Sequence, residues 1–128
     1  MIIYKHSDFY IEVHESEIPW LKIFTTEPYK ELTDAPKSLR KHLYEVMETI
    51  EEEMREYYNP EKINIAAFGN YLPHLHIHVM ARFKEDAYFP EPMWGKKQRE
   101  SSVKLPENEA FYIRLNEAIK AIKANTAL

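Results

Sequence analysis

Residues 74–83 read His-Leu-His-Ile-His-Val-Met-Ala-Arg-Phe, so that histidines alternate with aliphatic residues along the first half of the stretch. Successive side chains of a β-strand point to opposite faces of its sheet, and this alternation therefore predicts a strand. One face of the strand would present His74, His76 and His78 at intervals of about 7 Å. The other face would present aliphatic side chains that helices can cover: Leu75, Ile77, Val79 and Ala81.

Three imidazole rings on one face of a strand need hydrogen-bond partners or a ligand, because unpaired polar groups are costly to bury. In a first interpretation His76 is a nucleophile that attacks phosphorus, since imidazole is largely unprotonated near pH 7 and its neighbours can supply a hydrogen bond or a proton. In a second, two of the histidines bind a metal ion together with a remote ligand such as His14 or Glu15. In a third, the histidines are ordinary sheet or interface residues without chemistry.

The sequence before this stretch predicts further strands. Residues 9–13 and 19–25 are rich in β-branched and aromatic side chains, which favour strands. Residues 63–68 are a third strand, and Gly69-Asn70 after it is a turn signal that predicts a hairpin. With two helices, the order is β-β-α-β-β-α, which predicts an α+β fold in which the helices pack on one face of an antiparallel sheet.

The two helices are predicted from apolar residues at spacings of three and four. The first would begin at the N-cap Asp34, with Pro36 in its first turn, and end at Asn59-Pro60. The C-terminal helix would span about residues 107–124. Residues 84–106 have no clear period and are predicted to form a long loop. The apolar stripe of the first helix consists of Leu39, Leu43, Val46, Met47, Ile50, Met54 and Tyr57, and that of the second of Phe111, Leu115, Ala118, Ile119 and Ile122.

Length and composition exclude several classes of protein. The chain has 128 residues, 45% of them apolar and 30% charged, which predicts a single domain over residues 1–128. Without cysteine it has no disulfides, thiolate zinc sites or cysteine nucleophiles, and its two glycines do not fit dinucleotide or Walker A loops. A net charge of −4 argues against nucleic acid as a partner. Because we find neither a membrane-length apolar run nor a signal peptide, we expect no membrane partner and a cytoplasmic location.

The stretch Gly69–Arg82 resembles the signature of the histidine-triad (HIT) family, H-φ-H-φ-H-φ-φ, in which φ is hydrophobic. All seven positions match from His74 to Met80. Downstream, residues 88–95 are similar to a W/F-P-x-P-x-W-G stretch of small bacterial HIT proteins, and Pro19-Trp20 before an aliphatic strand also fits that subgroup. The resemblance covers about residues 9–99.

This resemblance implies a HIT-like fold, with a sheet of about five strands and two helices on one face, usually in a homodimer. It implies a nucleotide hydrolase or nucleotidyl transferase that acts at the α-phosphate of a nucleoside 5′-phosphate derivative, either a dinucleoside polyphosphate or an AMP phosphoramidate. Adenine is the expected base. No metal or other cofactor is expected for the covalent step, although Mg²⁺ could accompany polyphosphate substrates. The alternatives are a HIT protein that binds purine nucleotides without turnover and a metal-dependent hydrolase.

By position, the resemblance makes His76 the nucleophile, which would form a nucleotidyl-histidine intermediate. His78 would hydrogen-bond the scissile phosphate or the leaving atom, and His74 would support the pair. Asn70 stands where related proteins have a Gln or Asn that contacts the phosphate, and Gly69 matches a glycine beside it.

Other candidate contacts have two readings each. Glu15 lies in a loop where relatives hold ribose hydroxyls, and it either accepts those hydroxyls or is solvated. Trp94 either folds over the nucleotide or packs on the core or the dimer interface. Arg82, on the histidine face by alternation, either holds phosphate or pairs with an acid. Thr25-Thr26 departs from the proline and basic residue of many relatives, which puts a phosphate contact at that corner in doubt.

Overall fold

The computed structural model describes the backbone of residues 1–126 and the side chains of residues 1–122, so the last two residues of the predicted 1–128 domain lie outside it. Five strands form one antiparallel sheet in the order β1-β2-β3-β5-β4. The elements are β1 (Ile2–Lys5), β2 (Phe9–Val13), β3 (Trp20–Thr25), α1 (Lys37–Tyr58), β4 (Lys62–Ala66), β5 (His76–Arg82) and α2 (Asn108–Thr126).

The predicted α+β class is confirmed, and the four predicted strands are present. The strand predicted at 74–83 is shorter, because β5 begins at His76 and His74 lies in the preceding loop. Sequence reasoning did not locate β1, which pairs with β2 along the opposite edge from β4. A strand of four residues is too short to show a period, and its pairing with β2 is a tertiary property.

The N-terminal boundary of α1 differs from the prediction. Asp34 closes a short 3₁₀ turn, in which its carboxylate accepts a hydrogen bond from the backbone N–H of Glu31, and the N-cap of α1 is Pro36. The proline ring holds φ at −57°, close to the helical value. Proline has no backbone N–H, and at the N-cap the helix does not need one. At the other end, Asn59 adopts a left-handed conformation with φ of 50° before Pro60, as a helix stop requires.

Both helices lie on the same face of the sheet. The buried stripe of α1 packs against the aliphatic face of β5, and α2 packs against α1, with the rings of Tyr58 and Phe111 4.9 Å apart. Full burial of each such apolar side chain contributes about 1.5–3 kcal/mol. Within the described residues, this packing leaves the histidine side of the sheet free of helices. The buried residues of α1 are Leu39, Leu43, Val46, Ile50, Met54 and Tyr58.

The hairpin between β4 and β5 is present, but its loop of residues 67–75 is much longer than a tight turn. Gly69 has φ of +70°, a conformation that costs free energy for a residue with a Cβ atom. No helix in the described part of the chain combines the length and apolar character that a membrane span requires.

Candidate active site

The helix-free side of the sheet, here called the histidine face, is built from three adjoining strands. Residues paired across an antiparallel sheet share a face, so the register of β2, β3 and β5 assigns its members. They form three rows: Tyr10, Phe24 and His76; Glu12, Lys22 and His78; and Trp20 with Met80.

His76 is held with one ring nitrogen free. Its Nδ1 lies 2.7 Å from the carbonyl oxygen of His74. A carbonyl oxygen only accepts hydrogen bonds, so Nδ1 carries the proton and donates it. Nε2 of the neutral ring therefore keeps its lone pair and is the nitrogen available for nucleophilic attack. The ring stacks on Phe24 at 4.8 Å and 17°, which fixes its orientation.

His78 has the opposite arrangement. The indole N–H of Trp20 donates to its Nδ1 at 3.0 Å, and an indole nitrogen has no acceptor capacity. The proton of the neutral imidazole is consequently on Nε2. Burial lowers the pKa of His78 to about 4, with further lowering by His76, Lys22 and His14, and only 7% of the side chain is exposed. At neutral pH this residue is an uncharged N–H donor.

His74 completes a chain of hydrogen bonds rather than a row of three rings. Its Nε2–H donates to the carbonyl oxygen of Thr25 at 2.6 Å, which ties the loop before β5 to the end of β3. Its own carbonyl accepts from His76, as described above. His74 thus fixes the tautomer of His76 through its backbone while its side chain anchors that backbone.

Trp94 packs against His78 of its own chain. Its ring centroid is 5.1 Å from that of His78, 5.3 Å from Trp20 and 4.8 Å from Phe68. Half of the Trp94 side chain is exposed. The indole and Phe68 therefore form an open aromatic rim beside the two histidine rings, whose centroids are 4.9 Å apart.

Arg82 pairs with an acid, which is the second of the two interpretations given for it. Its Nε and Nη2 donate to the carboxylate of Asp86 at 3.0 and 3.1 Å, Nη1 donates to Asn64 at 2.8 Å, and Nη2 also donates to the carbonyl of Glu91 at 2.7 Å. The side chain of Arg82 is 2% exposed and that of Asp86 is fully buried. Two guanidinium nitrogens, Nε and Nη2, are thus committed to the loop that carries Trp94, and the third, Nη1, is committed to β4.

Asp86 organises the start of that loop. Its carboxylate also accepts hydrogen bonds from the backbone N–H groups of Phe83, Tyr88 and Phe89. Burial by itself would raise the pKa of Asp86, but the hydrogen bonds from Arg82 and the backbone outweigh it and the pKa is lowered. The long segment 84–106 is therefore anchored at its beginning by a buried ion pair.

The remaining predicted contacts lie in exposed loops. Glu15 is exposed between β2 and β3, and Asn70 is exposed beside Gly69 in the loop before β5. Among the described residues, no hydrogen bond, ion pair or ring contact joins Glu15 or Asn70 to the histidines.

Sequence reasoning missed several residues of the histidine face. Trp20, Lys22 and Phe24 alternate along β3 and point to the same side as the histidines. The alternation was visible in the sequence, but its facing depends on the register between β3 and β5. Leu21 and Ile23, which alternate with them along β3, belong to the core beneath the helices.

The described side chains do not form a metal site: no three of their histidine, aspartate and glutamate residues converge as ligands. His14, suggested above as a remote ligand, packs on Trp20 with ring centroids 4.0 Å apart. A cavity of about 910 Å³ lies elsewhere, between α1 and β4, and is lined mainly by apolar side chains such as Leu43, Met47 and Ile65. None of the three histidines lines this cavity, and we place the candidate site on the histidine face.

The comparisons with known proteins agree with the fold and the motif. The family model of the HIT domain matches residues 2–85. No curated protein matches the chain.

Several solved structures are similar. A histidine triad protein from Sinorhizobium meliloti is 27% identical, with a TM-score of 0.74, and the match covers 92% of this chain and 88% of that one. One from Bradyrhizobium japonicum is 25% identical, with a TM-score of 0.72 and coverage of 94% and 88%. A histidine triad nucleotide-binding protein from Sulfolobus tokodaii shares the fold with a TM-score of 0.56. It is 14% identical, and the match covers 97% of this chain and 83% of that one. The chain belongs to the histidine triad (HIT) domain family.

Proposed function

We propose that the protein is a nucleotide hydrolase or nucleotidyl transferase that cleaves at the α-phosphate of a nucleoside 5′-phosphate derivative. The observation that carries this proposal is the pair of opposite tautomers on neighbouring rings. His76 presents an unprotonated Nε2, and His78 presents an Nε2–H, with ring centroids 4.9 Å apart. A nucleophile beside a hydrogen-bond donor is what attack on a phosphate requires.

In the first step the lone pair of His76 Nε2 forms a bond to the α-phosphorus, and the bond from phosphorus to the leaving oxygen or nitrogen breaks. The leaving atom ends with the electron pair and takes a proton from the solvent, to which the second step returns one. The Nε2–H of His78 donates to a phosphate oxygen or to the leaving atom, and one such donor is typically worth about 10²- to 10³-fold in rate. Positive charge develops on the His76 ring, where the carbonyl of His74 already accepts from Nδ1–H.

In the second step water attacks the same phosphorus, the N–P bond breaks, and the nucleoside monophosphate leaves. The proton of the attacking water is released, and His76 returns to its starting tautomer. Every group in this scheme belongs to the chain, substrate or water, so we propose that the covalent step needs no cofactor. Mg²⁺ would enter only with a polyphosphate substrate.

The face also suits a nucleotide. Tyr10 is partly exposed and stacks on the buried Phe24 at 5.3 Å and 8° next to His76. We propose that the Tyr10 ring faces the base, for which adenine is our expectation. The Sulfolobus tokodaii relative is described as nucleotide-binding, and we extend that property to this chain.

We further propose a homodimer through the β4 edge of the sheet. This edge strand has backbone groups without a sheet partner on one side, and exposed Ile65, Phe68 and Tyr44 lie on or near it. Ile65→Glu should shift the protein to monomers, as measured by light scattering. A wild-type protein that is monomeric at micromolar concentration would contradict the dimer.

The test of the activity is release of AMP from diadenosine tetraphosphate and from adenosine phosphoramidate, with and without EDTA. We expect release that survives EDTA and falls by several orders of magnitude in His76→Ala. The control His6→Ala removes a histidine near β1, away from the candidate site, and should keep its activity. AMP binding without release would identify a binding protein, and loss of release on chelation would identify a metal-dependent hydrolase.

A further inference from the structure

Lys22 occupies an unusual position for a lysine. It lies near the middle of β3, between Glu12 on β2 and His78 on β5, and its side chain is only 18% exposed. Its neighbours on the same face of β3 are the buried aromatic residues Trp20 and Phe24. A largely buried lysine side chain costs free energy unless a counter-ion or ligand offsets its charge.

The contacts of Lys22 within the protein are weak. Its Nζ lies 3.7 Å from a carboxylate oxygen of Glu12, which is longer than a hydrogen bond, and 5.6 Å from the centre of the Phe24 ring. In the described part of the chain no hydrogen bond is formed by this ammonium. Its charge is nevertheless felt at the site, because it lowers the pKa of both His78 and His14.

Two other cations of the histidine face are committed elsewhere, and a third, Lys5 of β1, is separated from β5 by two strands. Arg82 is paired with Asp86, and the Nζ of Lys62, on the edge strand β4, donates to the carbonyl of Ile63. His78 is neutral at physiological pH and brings an N–H without a charge. A phosphate held at His76 would carry negative charge into a site where Lys22 is the adjoining cation.

We infer that Lys22 is a phosphate-binding residue of the histidine face, whose ammonium contacts a non-bridging oxygen of the nucleotide phosphate. Lys22 and His78 are paired across β3 and β5, where Cβ atoms are about 4.5–5.5 Å apart, and the diagonal distance to His76 is within reach of a lysine side chain. The inference rests on the proposed function, since it requires a phosphate at His76. Lys22 would supply a cation that the Thr25-Thr26 corner lacks.

The test measures binding of AMP and of adenosine by calorimetry at low ionic strength. Lys22→Met keeps the length and apolar stem of the side chain and removes the charge, and Lys22→Arg keeps the charge. A charge-assisted contact of this kind predicts that Lys22→Met binds AMP about 10- to 100-fold more weakly. Adenosine binding should stay unchanged, Lys22→Arg should retain most of the AMP affinity, and raising the salt concentration should weaken AMP binding less in Lys22→Met than in the wild type.

Two controls separate this contact from simpler effects. Lys120→Met removes a lysine on α2, on the far side of the sheet, and should leave both affinities unchanged. The double variant Glu12→Gln/Lys22→Met removes the carboxylate that would otherwise repel phosphate, and it should still bind AMP more weakly than Glu12→Gln alone. If Lys22→Met fails to fold, Lys22→Gln serves in its place.

Equal loss of AMP and adenosine affinity, or no loss of either, would overturn the inference. The same loss in Lys120→Met would overturn it as well, since it would reflect net charge alone. A wild-type protein that binds neither ligand would refute the proposed function itself, and that failure is seen before any variant of Lys22 is measured.

Discussion

Replacing Arg82 by methionine separates a structural arginine from a phosphate-binding one. Methionine fills much of the volume of the arginine stem but offers no donor. In the variant, Asp86 would be a buried carboxylate without its guanidinium partner, and the carbonyl of Glu91 and the amide of Asn64 would each lose a donor. The start of the 84–106 loop should then detach from the sheet.

The expected cost follows from the burial of the pair. With side-chain exposures of 2% for Arg82 and 0% for Asp86, solvent does not screen the interaction, and removal of one partner of such a pair costs about 3–5 kcal/mol. Three backbone N–H groups continue to hold Asp86, so we expect about 3 kcal/mol. That is a large share of the roughly 5–15 kcal/mol by which a domain is stable, and the melting temperature should fall by about 10 °C.

The assay is urea unfolding followed by circular dichroism, with tryptophan fluorescence as a second signal because Trp94 is one of only two tryptophans. Arg55→Met, which removes an exposed arginine of α1, is the matched control and should cost less than about 1 kcal/mol. Calorimetry with AMP is run on both variants under conditions in which they are folded. A loss of stability below about 1 kcal/mol in Arg82→Met, together with AMP binding weakened more than tenfold, would refute the structural role.

Three further outcomes follow from the geometry. Trp20→Phe keeps an aromatic side chain but removes the N–H that donates to Nδ1 of His78, so the pKa of His78 should rise. The acid limb of the pH–rate profile should then move to higher pH, with a lower kcat and little change in KM. An unchanged profile would contradict the tautomer assignment. The pKa of His78 is about 4 in the folded state and near 6.5 in the unfolded state, so the unfolded state binds more protons between these two pH values. The contribution of His78 to stability should therefore be complete above pH 6.5 and fall by about 3 kcal/mol as the pH drops to 4. Urea unfolding should find this decline reduced in His78→Gln. Gly69→Ala forces a Cβ atom into a backbone with φ of +70° and should cost about 1 kcal/mol in thermal unfolding; no loss would show that the loop of residues 67–75 adapts without strain.

Local features of this chain were predictable from its sequence. The alternation after His74 and the three- and four-residue spacing in α1 reflect the fixed repeats of strand and helix, so they identified β5, the helix and most of its buried stripe. At the end of that stripe the structure buries Tyr58, whereas the predicted Tyr57 and Met47 are only partly buried. Asn59-Pro60 stops the helix for reasons confined to a few neighbouring residues. The start of α1 was misplaced by a few residues, since Asp34 and Pro36 both favour a helix start and only the 3₁₀ turn decides between them.

The sequence alone determined that three imidazoles lie together on or next to one strand, with aliphatic residues to bury beneath helices, and that the chain resembles the HIT family. The tertiary structure decided which nitrogen of each ring carries the proton, because the partners of the histidines come from distant parts of the chain: Trp20 lies 58 positions before His78, and Thr25 lies 49 before His74. It also placed Lys22 beside His78 and committed Arg82 to Asp86. Side-chain periodicity is set within a few residues, whereas hydrogen-bond partners and charges depend on which strands become neighbours in the sheet.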